Sequence, residues 1–419
     1  MYDRPSVIRA VVMKTLLNFI LIASVILMHF VIARPYGYPL TIMPFVIIIF
    51  MLLHFKNDAW SHRTLLLWLG LIFWPFFILL SYTALGGVTD FVDFIRTYLL
   101  WLFSVSIILA CARSRIKRVV SYSRGLLIAF GVVGAVATAQ IIGAEWFGLN
   151  FIYTLFRKHA YVAYEYDEAS LLGNIYERAH GFYLEPSFCA FVVFSLLSAL
   201  MLTKQPGRGK LCLLVLGMLS MWIIGSASGI LMMIVLTTLG VVSLLKTHVA
   251  RRLLLVMGGL LSIPVAIASL GGRLAEISIE GSSGYWRLIA PLTILKNVFV
   301  NYPLGVPFGQ IESFLAPMGL QHGRGVGTSI DNGMYCLAFY FGWCAVFFIS
   351  WLVFRLANAV LHDHFVDAVY WWYIIGALQF SGGIFVPEFV YPVLLVTYLY
   401  RVRALPLVEG FPIVQPRRV

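Results

Sequence analysis

Arginine, histidine and glutamate stand close together in one short polar segment of an otherwise apolar chain. The segment reads Arg-Ala-His-Gly-Phe-Tyr-Leu-Glu-Pro, so that Arg178, His180 and Glu185 precede a long apolar run. Arginine binds phosphate oxygens through a planar fork that keeps its charge, whereas histidine and carboxylate groups accept protons. The segment therefore predicts a phosphate-binding site with a proton acceptor. Interfacial anchoring, with Arg178 reaching towards the lipid headgroups, is the alternative interpretation.

A second polar stretch, residues 271–332, supplies further groups of the same kinds. Arg287 precedes an amphipathic stretch that is too short to span a membrane and is expected to lie at its surface. The Gly- and Pro-rich residues 301–309 follow, and they are typical of a tight turn that brings backbone N–H groups near a ligand. The candidate catalytic residues of the chain are Arg178, His180, Glu185, Arg287, His322 and Asp331. The candidate substrate-binding residues are Tyr183, Arg273, Trp286, Asn301 and Arg324.

The rest of the chain has the composition of a membrane protein. Of its 419 residues, 61% are hydrophobic and 11% are charged, and many apolar runs reach the roughly 20 residues that cross a bilayer. These runs are continuous rather than alternating, which indicates helices and not a barrel. We therefore predict an all-α, polytopic integral membrane protein, a single domain over residues 1–419 with about 12 transmembrane helices. The predicted spans are 15–33, 39–54, 64–85, 97–112, 125–143, 183–203, 211–224, 229–245, 253–270, 333–354, 366–384 and 388–400.

Charge indicates the orientation and excludes other classes of protein. The net charge is +12, and basic residues are concentrated in the connections on one side of the predicted spans. The positive-inside rule then places both termini in the cytoplasm and the loops 144–182 and 271–332 outside. This topology accounts for the basic charge, so no nucleic-acid partner is expected. The five cysteines lie in or beside spans without metal-binding spacing, and no metal site is predicted.

Two local patterns give further expectations. The stretch Leu211–Leu245 carries no charge and is too long for one ordinary span, while the Gly- and Ser-rich residues 225–229 in its middle indicate a turn between two helices. In a short external connection, Arg96 is expected to form a structural ion pair with Asp90 or Asp93.

Three motifs carry a resemblance to a known family. They are Arg-x-x-Gly-Phe-x-x-x-Pro at 178–186, Arg287 followed by Asn-x-Pro-Leu-Gly-x-x-x-Gly at 301–309, and Asp331-Asn332 ahead of an apolar span that contains Gly342. Together they resemble the O-antigen polymerase and ligase superfamily. The resemblance implies transfer of a glycan from undecaprenyl diphosphate at the periplasmic face of the bacterial inner membrane, without a metal or other cofactor. It also implies that Arg178 and Arg287 bind the diphosphate.

Within that superfamily, one departure favours a polymerase. The resemblance implies that a ligase would use a histidine just before the span that follows the long loop, often as His-Asn. At that point this chain has Asp331-Asn332, and its nearest loop histidine is His322. A Wzy-type polymerase joining repeat units into O-antigen, capsule or exopolysaccharide is therefore expected. The alternative is a ligase that transfers glycan to lipid A core, with His322 folding into the same space. The implied partners are the undecaprenyl-diphosphate-linked oligosaccharide, the lipid bilayer, and the flippase and chain-length regulator of the same pathway.

Three other classes remain open. A lipid-linked oligosaccharide flippase would also have about twelve spans, but its charges should lie at mid-membrane depth, where these spans are almost free of charge. A metal-dependent, lipid-linked glycosyltransferase of another fold should show acidic residues in the first external loop. The only charged residue of that loop in this chain is Arg34. A purely structural membrane partner would explain the spans but not the clustered Arg, His and Glu.

Overall fold

A computed structural model describes the helical body of the chain. The described residues are 4–33, 40–56, 60–117, 119–147, 179–183, 186–203, 207–245, 283–315, 330, 332–380 and 382–405, with the single residues 251, 253, 257, 258 and 264. Their elements in chain order are α1 (Arg4–Ile26), β1 (Val31–Ala33), β2 (Leu40–Thr41), α2 (Met43–His54), α3 (His62–Ala84), α4 (Phe91–Arg113), α5 (Ser123–Phe147), α6 (Pro186–Leu202), α7 (Gly207–Ile224), α8 (Ala227–Val242), α9 (Ser283–Asn301), α10 (Ile311–Leu315), α11 (Gly333–Phe341), α12 (Trp343–Leu361), α13 (Phe365–Phe380) and α14 (Pro387–Ala404).

Helix α6 is the centre of the bundle. It packs against α5, α7, α8, α13 and α14, and all of its side chains except Pro186 and Phe188 are buried. A helix that is apolar on every face has no side suited to water, so burial among other helices is its stable position. In the sequence, the polar segment 178–185 leads directly into this buried helix.

The outer helices suit contact with lipid. Four helices are long and apolar enough to cross a membrane, over His62–Ala84, Phe91–Arg113, Ser123–Gly143 and Trp343–Leu361, and five shorter apolar helices accompany them. Helices α3 and α12 expose large apolar side chains such as Leu66, Phe73 and Phe347. Exposed apolar side chains in such numbers are stable in hydrocarbon and not in water. The described residues thus form an all-α membrane protein, apart from one short hairpin, while the number of twelve spans stays a prediction.

The predicted first span, 15–33, was wrong at its C-terminal end. Helix α1 ends at Ile26, and the chain then forms β1, which pairs with β2 in antiparallel orientation. Val31 is opposite Thr41, and Ala33 is opposite Leu40. The β-branched pair Val31 and Ile32 favours extended backbone, and pairing with β2 satisfies its backbone groups. The apolar run was correctly seen, but its final residues form a strand.

The predicted turn in the uncharged stretch 211–245 is confirmed. Helix α7 ends at Ile224 and α8 begins at Ala227. Between them Gly225 adopts a φ of +67°, and the Ser226 hydroxyl accepts a hydrogen bond from the Gly229 amide at 3.1 Å. A left-handed glycine followed by a serine cap is a common way to end one helix and begin another.

The predicted continuous span 333–354 was wrong, because the helix breaks at Gly342. This residue has a φ of +52°, and it separates α11 from α12. The Trp343 amide donates to the Pro303 carbonyl at 3.0 Å, and the Val306 amide donates to the Phe339 carbonyl at 2.9 Å. The Gly- and Pro-rich turn therefore packs into the break. The sequence of α11 did not predict the break, because the break depends on contacts with the Gly- and Pro-rich turn, which is distant in the chain.

The orientation can be tested by labelling two exposed connections. Val88, 81% exposed, lies between α3 and α4 on the predicted outer side, and Ser121 is exposed between α4 and α5 on the predicted cytoplasmic side. In a variant without the five native cysteines, Val88→Cys is expected to react with an impermeant thiol reagent in intact cells, and Ser121→Cys only after lysis. The opposite pattern would reverse the predicted topology.

Candidate active site

Residues 179–183 form a turn that is fixed to helix α5 by one glutamine. Gln140 is 1% exposed, and its Oε1 accepts hydrogen bonds from the backbone amides of His180 at 3.0 Å and Gly181 at 2.9 Å. Gly181 has a φ of +58°, a conformation that glycine adopts without a steric penalty. Helix α6 begins at Pro186, where a missing N–H is tolerated, as the sequence predicted. A buried side chain of α5 thus holds the backbone of the turn, which lies shortly before α6 in the chain.

Burial favours the neutral form of His180. Its Nδ1 lies 2.8 Å from the Tyr183 carbonyl oxygen, and because a carbonyl only accepts, Nδ1 carries the hydrogen. Burial lowers the pKa of His180 below its ordinary value of 6.5, although the carbonyls of Tyr183 and Gly181 act in the opposite direction. At neutral pH the ring is therefore uncharged, with Nε2 as its basic nitrogen.

Tyr183 faces the interior of the bundle. Its hydroxyl donates to the Val25 carbonyl at the end of α1, at 3.1 Å. Its ring lies edge-on to His29, which in turn packs edge-on to Phe188 at the start of α6. These contacts join the turn to the end of α1. A role for Tyr183 in binding sugar stays a prediction, and any such contact would use its ring and not its hydroxyl.

A buried acid that the sequence analysis missed lies at the same end of the bundle. Glu388, in the first turn of α14, is 6% exposed and accepts a hydrogen bond from the Thr41 hydroxyl of β2. The neighbouring Phe389 stacks on Phe191 of α6. The signal in the sequence was an acid at the first residue of an otherwise apolar predicted span, which is a costly position for a charged group. Glu388 holds the hairpin against α14 and brings a carboxyl group to this end of the bundle.

The Gly- and Pro-rich turn is attached to the α3–α4 connection. Gln310 is 0% exposed; its Oε1 accepts from the Asp90 amide, and its Nε2 donates to the Asp90 carbonyl, both at 2.7 Å. Asp90 itself caps α4 by accepting from the Val92 amide at 2.8 Å. Asp93 pairs with Arg96 at 3.4 Å, so the predicted ion pair is confirmed, with Asp93 as the partner.

Several amides in and beside this turn form hydrogen bonds within the protein. Gly305 donates to the Tyr302 carbonyl at 2.8 Å, and Gln310 donates to the Pro307 carbonyl at 3.3 Å. Together with the amide of Val306, which donates to the Phe339 carbonyl, these amides bond to backbone carbonyls of the protein. The predicted tight turn is confirmed, but the structure uses its glycines for close approach between two segments of the chain.

Two asparagines near the second stretch take up local hydrogen bonds: Asn332 of the third motif and Asn301, a candidate substrate-binding residue. The Oδ1 of Asn332 accepts from the Met334 amide at 2.9 Å, which caps α11, and its Nδ2 donates to Gln379 of α13 at 2.7 Å. Asn301, at the exposed end of α9, donates to Asn297 one turn earlier at 2.6 Å. Asn332 is therefore part of the packed end of the bundle, whereas Asn301 lies on its surface.

The remaining predicted site residues cannot be placed by the described part of the chain. For Arg287 and Trp286 the structure gives only their backbone, within α9. The residues that lie outside the described ranges are Arg178, Glu185, Arg273, His322, Arg324 and Asp331. The described residues bring together His180, Tyr183, Gln140 and the hairpin held by Glu388. That Arg178 and Arg287 meet at one diphosphate stays a prediction.

A bundle of apolar helices around a buried central helix, with a polar turn fixed at one end, defines a polytopic helical membrane protein. The chain belongs to the WcaD colanic acid polymerase family, since the family model described as WcaD colanic acid polymerase matches residues 16–403. A protein of Escherichia coli (strain K12) that carries the provisional name colanic acid polymerase is 31% identical over 136 residues. This match covers 32% of the chain and only 34% of that relative's length. The predicted resemblance to polysaccharide polymerases is confirmed.

Proposed function

We propose that the protein is a membrane glycosyltransferase that polymerises lipid-linked oligosaccharide repeat units into a surface polysaccharide. The match of the colanic acid polymerase family across residues 16–403 carries this proposal. The donor is proposed to be a glycan on undecaprenyl diphosphate, used at the periplasmic face of the inner membrane without a metal ion. A neutral histidine in a turn fixed at one end of the bundle supports a reaction that removes a proton from a hydroxyl group.

The proposed reaction forms one glycosidic bond and breaks the bond that joins the donor sugar to the diphosphate. An acceptor hydroxyl oxygen attacks the anomeric carbon, the bond from that carbon to the diphosphate oxygen breaks, and the diphosphate leaves with the electron pair. Negative charge grows on the leaving group, and Arg178 and Arg287 are proposed to stabilise it because a fixed cation at a site of low dielectric is strongly effective there. Undecaprenyl diphosphate and the lengthened glycan are the products.

His180 is the proposed acceptor of the hydroxyl proton. Its Nδ1 hydrogen is committed to the Tyr183 carbonyl, so a proton would add at Nε2. Because burial lowers the pKa of the ring, the neutral form that can accept a proton is available at neutral pH. Glu185, His322 and Asp331 are the other candidates for this role.

The test of the proposed function is product analysis with purified protein in lipid. Incubation with undecaprenyl-diphosphate-linked repeat units is expected to give lipid-linked products that carry several repeat units. If the single repeat units remain unchanged, the proposed function is wrong. If glycan moves only to an added lipid A core acceptor, the protein is a ligase.

The role of His180 predicts a specific dependence on pH. The wild-type rate should rise with pH as His180 loses its proton, with a midpoint below 6.5 because burial lowers this pKa. His180→Gln should lower the rate by roughly 10²–10⁴-fold and remove this acidic limb. His362, an exposed histidine after α12, provides the control, and His362→Gln should keep both the rate and the limb. An unchanged acidic limb in His180→Gln would contradict the assignment.

A further inference from the structure

A short antiparallel bridge gathers basic side chains at the end of the bundle opposite to the turn at His180. The Lys56 amide donates to the Arg115 carbonyl at 2.9 Å, and the Lys117 amide donates to a carbonyl at the end of α2 at 2.8 Å. The paired residues of the bridge, Phe55 and Ile116, pack towards the core. Because side chains alternate along extended backbone, Lys56, Arg115 and Lys117 face outward, and all three are exposed.

Asn18 of α1 adds two cations at the same end. Its Oδ1 accepts from the Gly125 amide in the first turn of α5 at 2.9 Å, and its Nδ2 donates to the Lys14 carbonyl at 2.8 Å. Lys14 and Arg124, which precedes Gly125, are both exposed. The basic rim, as we call this group, consists of Lys14, Lys56, Arg115, Lys117 and Arg124.

An apolar groove between α1 and α2 leads to the basic rim. Helix α1 packs against α5 and α2 packs against α14, and the groove between them is lined by side chains such as Ile20, Ile49 and Leu53. It ends at the buried pair His54 and Tyr122. The Nε2 atom of His54 lies 2.6 Å from the Tyr122 hydroxyl, and its Nδ1 lies 2.9 Å from a carbonyl oxygen of α2. These polar atoms serve each other and the backbone, so the groove presents mainly hydrocarbon surface.

The carboxylates of this side do not balance the charge of the basic rim. Those that the structure describes on the predicted cytoplasmic side are Asp363 and Asp367. Asp363 pairs with Arg251 at 3.6 Å, and Asp367 accepts a hydrogen bond from Tyr400 at 3.0 Å. Asp58, the acid nearest to the rim in the sequence, carries one negative charge against five positive ones.

We propose that the basic rim and the groove together bind an anionic phospholipid, with its phosphate at the rim and an acyl chain in the groove. Lys56 and Arg115 lie opposite each other in the bridge, where like charges repel, and an anion beside them relieves this repulsion. Leu52 and Ile128, each about one turn from a rim residue, are 68% and 52% exposed. Cations that border lipid-facing apolar side chains lie at the depth of the phosphate groups. The proposal does not depend on the enzymatic activity.

The test compares two lipids that have the same acyl chains. Purified full-length protein in detergent is titrated with dioleoyl phosphatidylglycerol or dioleoyl phosphatidylcholine, and bound lipid is measured by native mass spectrometry. The wild type should bind the anionic lipid more tightly. Each cation near a lipid phosphate contributes about fivefold to affinity, so the double variant Lys117→Gln, Arg124→Gln should bind phosphatidylglycerol about thirtyfold more weakly. Its melting temperature should stay close to that of the wild type, because both side chains are exposed.

Two further variants separate charge from shape. Lys296→Gln removes an exposed positive charge from α9, outside the basic rim, and should keep the wild-type affinity for both lipids. Ile49, which is 47% exposed, lines the groove. Ile49→Trp fills part of the groove without changing the charge, and it should weaken the binding of both lipids.

Each of the other outcomes would overturn the inference. Equal affinity of the wild type for the two lipids would show that the rim does not select an anion. Unchanged binding of phosphatidylglycerol by the double variant would exclude these two cations, and an equal loss in Lys296→Gln would indicate an effect of net charge alone. Full affinity of Ile49→Trp for both lipids would show that no chain lies in the groove. Displacement of phosphatidylglycerol by glycerol 3-phosphate would indicate a site for soluble phosphates and not for a lipid.

Discussion

Alanine in place of Arg287 is expected to abolish polymer formation almost completely. In the proposed reaction the guanidinium group stabilises the charge that develops on the leaving diphosphate, and loss of one such group lowers the rate by about 10²–10³-fold. Arg287→Lys should also impair the reaction, because a single ammonium group replaces a fork that contacts two oxygens. The measurement is the yield of polymer from cells that carry equal amounts of each variant in the membrane. Arg178→Ala should give the same result.

A second arginine serves as the control for Arg287. Arg96 is exposed at the start of α4 and pairs with Asp93 at 3.4 Å. Exposed ion pairs contribute little to stability, so Arg96→Ala should leave polymer yield close to that of the wild type. Near-normal polymer from Arg287→Ala would remove this residue from the site. Equal loss from Arg96→Ala would mean that the assay reports general surface charge and not a diphosphate site.

Features that depend on neighbouring residues could be predicted from the sequence. The turn at Gly225 and Ser226, the start of α6 at Pro186 and the pairing of Asp93 with Arg96 each follow from residues within one helical turn of one another. Glycine, proline and short-range charge pairs act through the local backbone, so the sequence contains the whole cause. The same holds for the apolar runs, which indicated a helical membrane protein.

Features that depend on distant contacts could not be predicted in this way. The strand at Val31 requires β2 as its partner, and the break at Gly342 requires the Pro303 carbonyl, which no reading of α11 alone reveals. Gln140 and Glu388 became part of the candidate site only because the fold brings the turn at His180 and the hairpin at Thr41 to them. A strongly polar residue, in or at the start of an apolar predicted span, was the available signal for each.

Adding one methyl group at Gly342 is expected to reduce the amount of folded protein sharply. Gly342 has a φ of +52°, a region that other residues enter at a cost of about 1–3 kcal/mol. A β-carbon there would also collide with the Pro303 carbonyl, and it would lie 2.7 Å from the Gly305 amide nitrogen. These are backbone atoms that cannot turn aside like a side chain, so the Gly- and Pro-rich turn would have to leave the break between α11 and α12. The melting temperature of purified Gly342→Ala measures this loss.

Gly131 in α5 offers the matched substitution. A β-carbon at Gly131 would meet nothing within 4 Å, and alanine favours a helix over glycine by about 1 kcal/mol. Gly131→Ala should therefore melt at or above the wild-type temperature while Gly342→Ala melts well below it. Because the turn at 301–309 is held by Gln310 as well as by the break, Gly342→Ala and Gln310→Glu should loosen the same region, and their combined effect should be smaller than the sum of the two. Melting of Gly342→Ala at the wild-type temperature would show that the turn does not depend on the break.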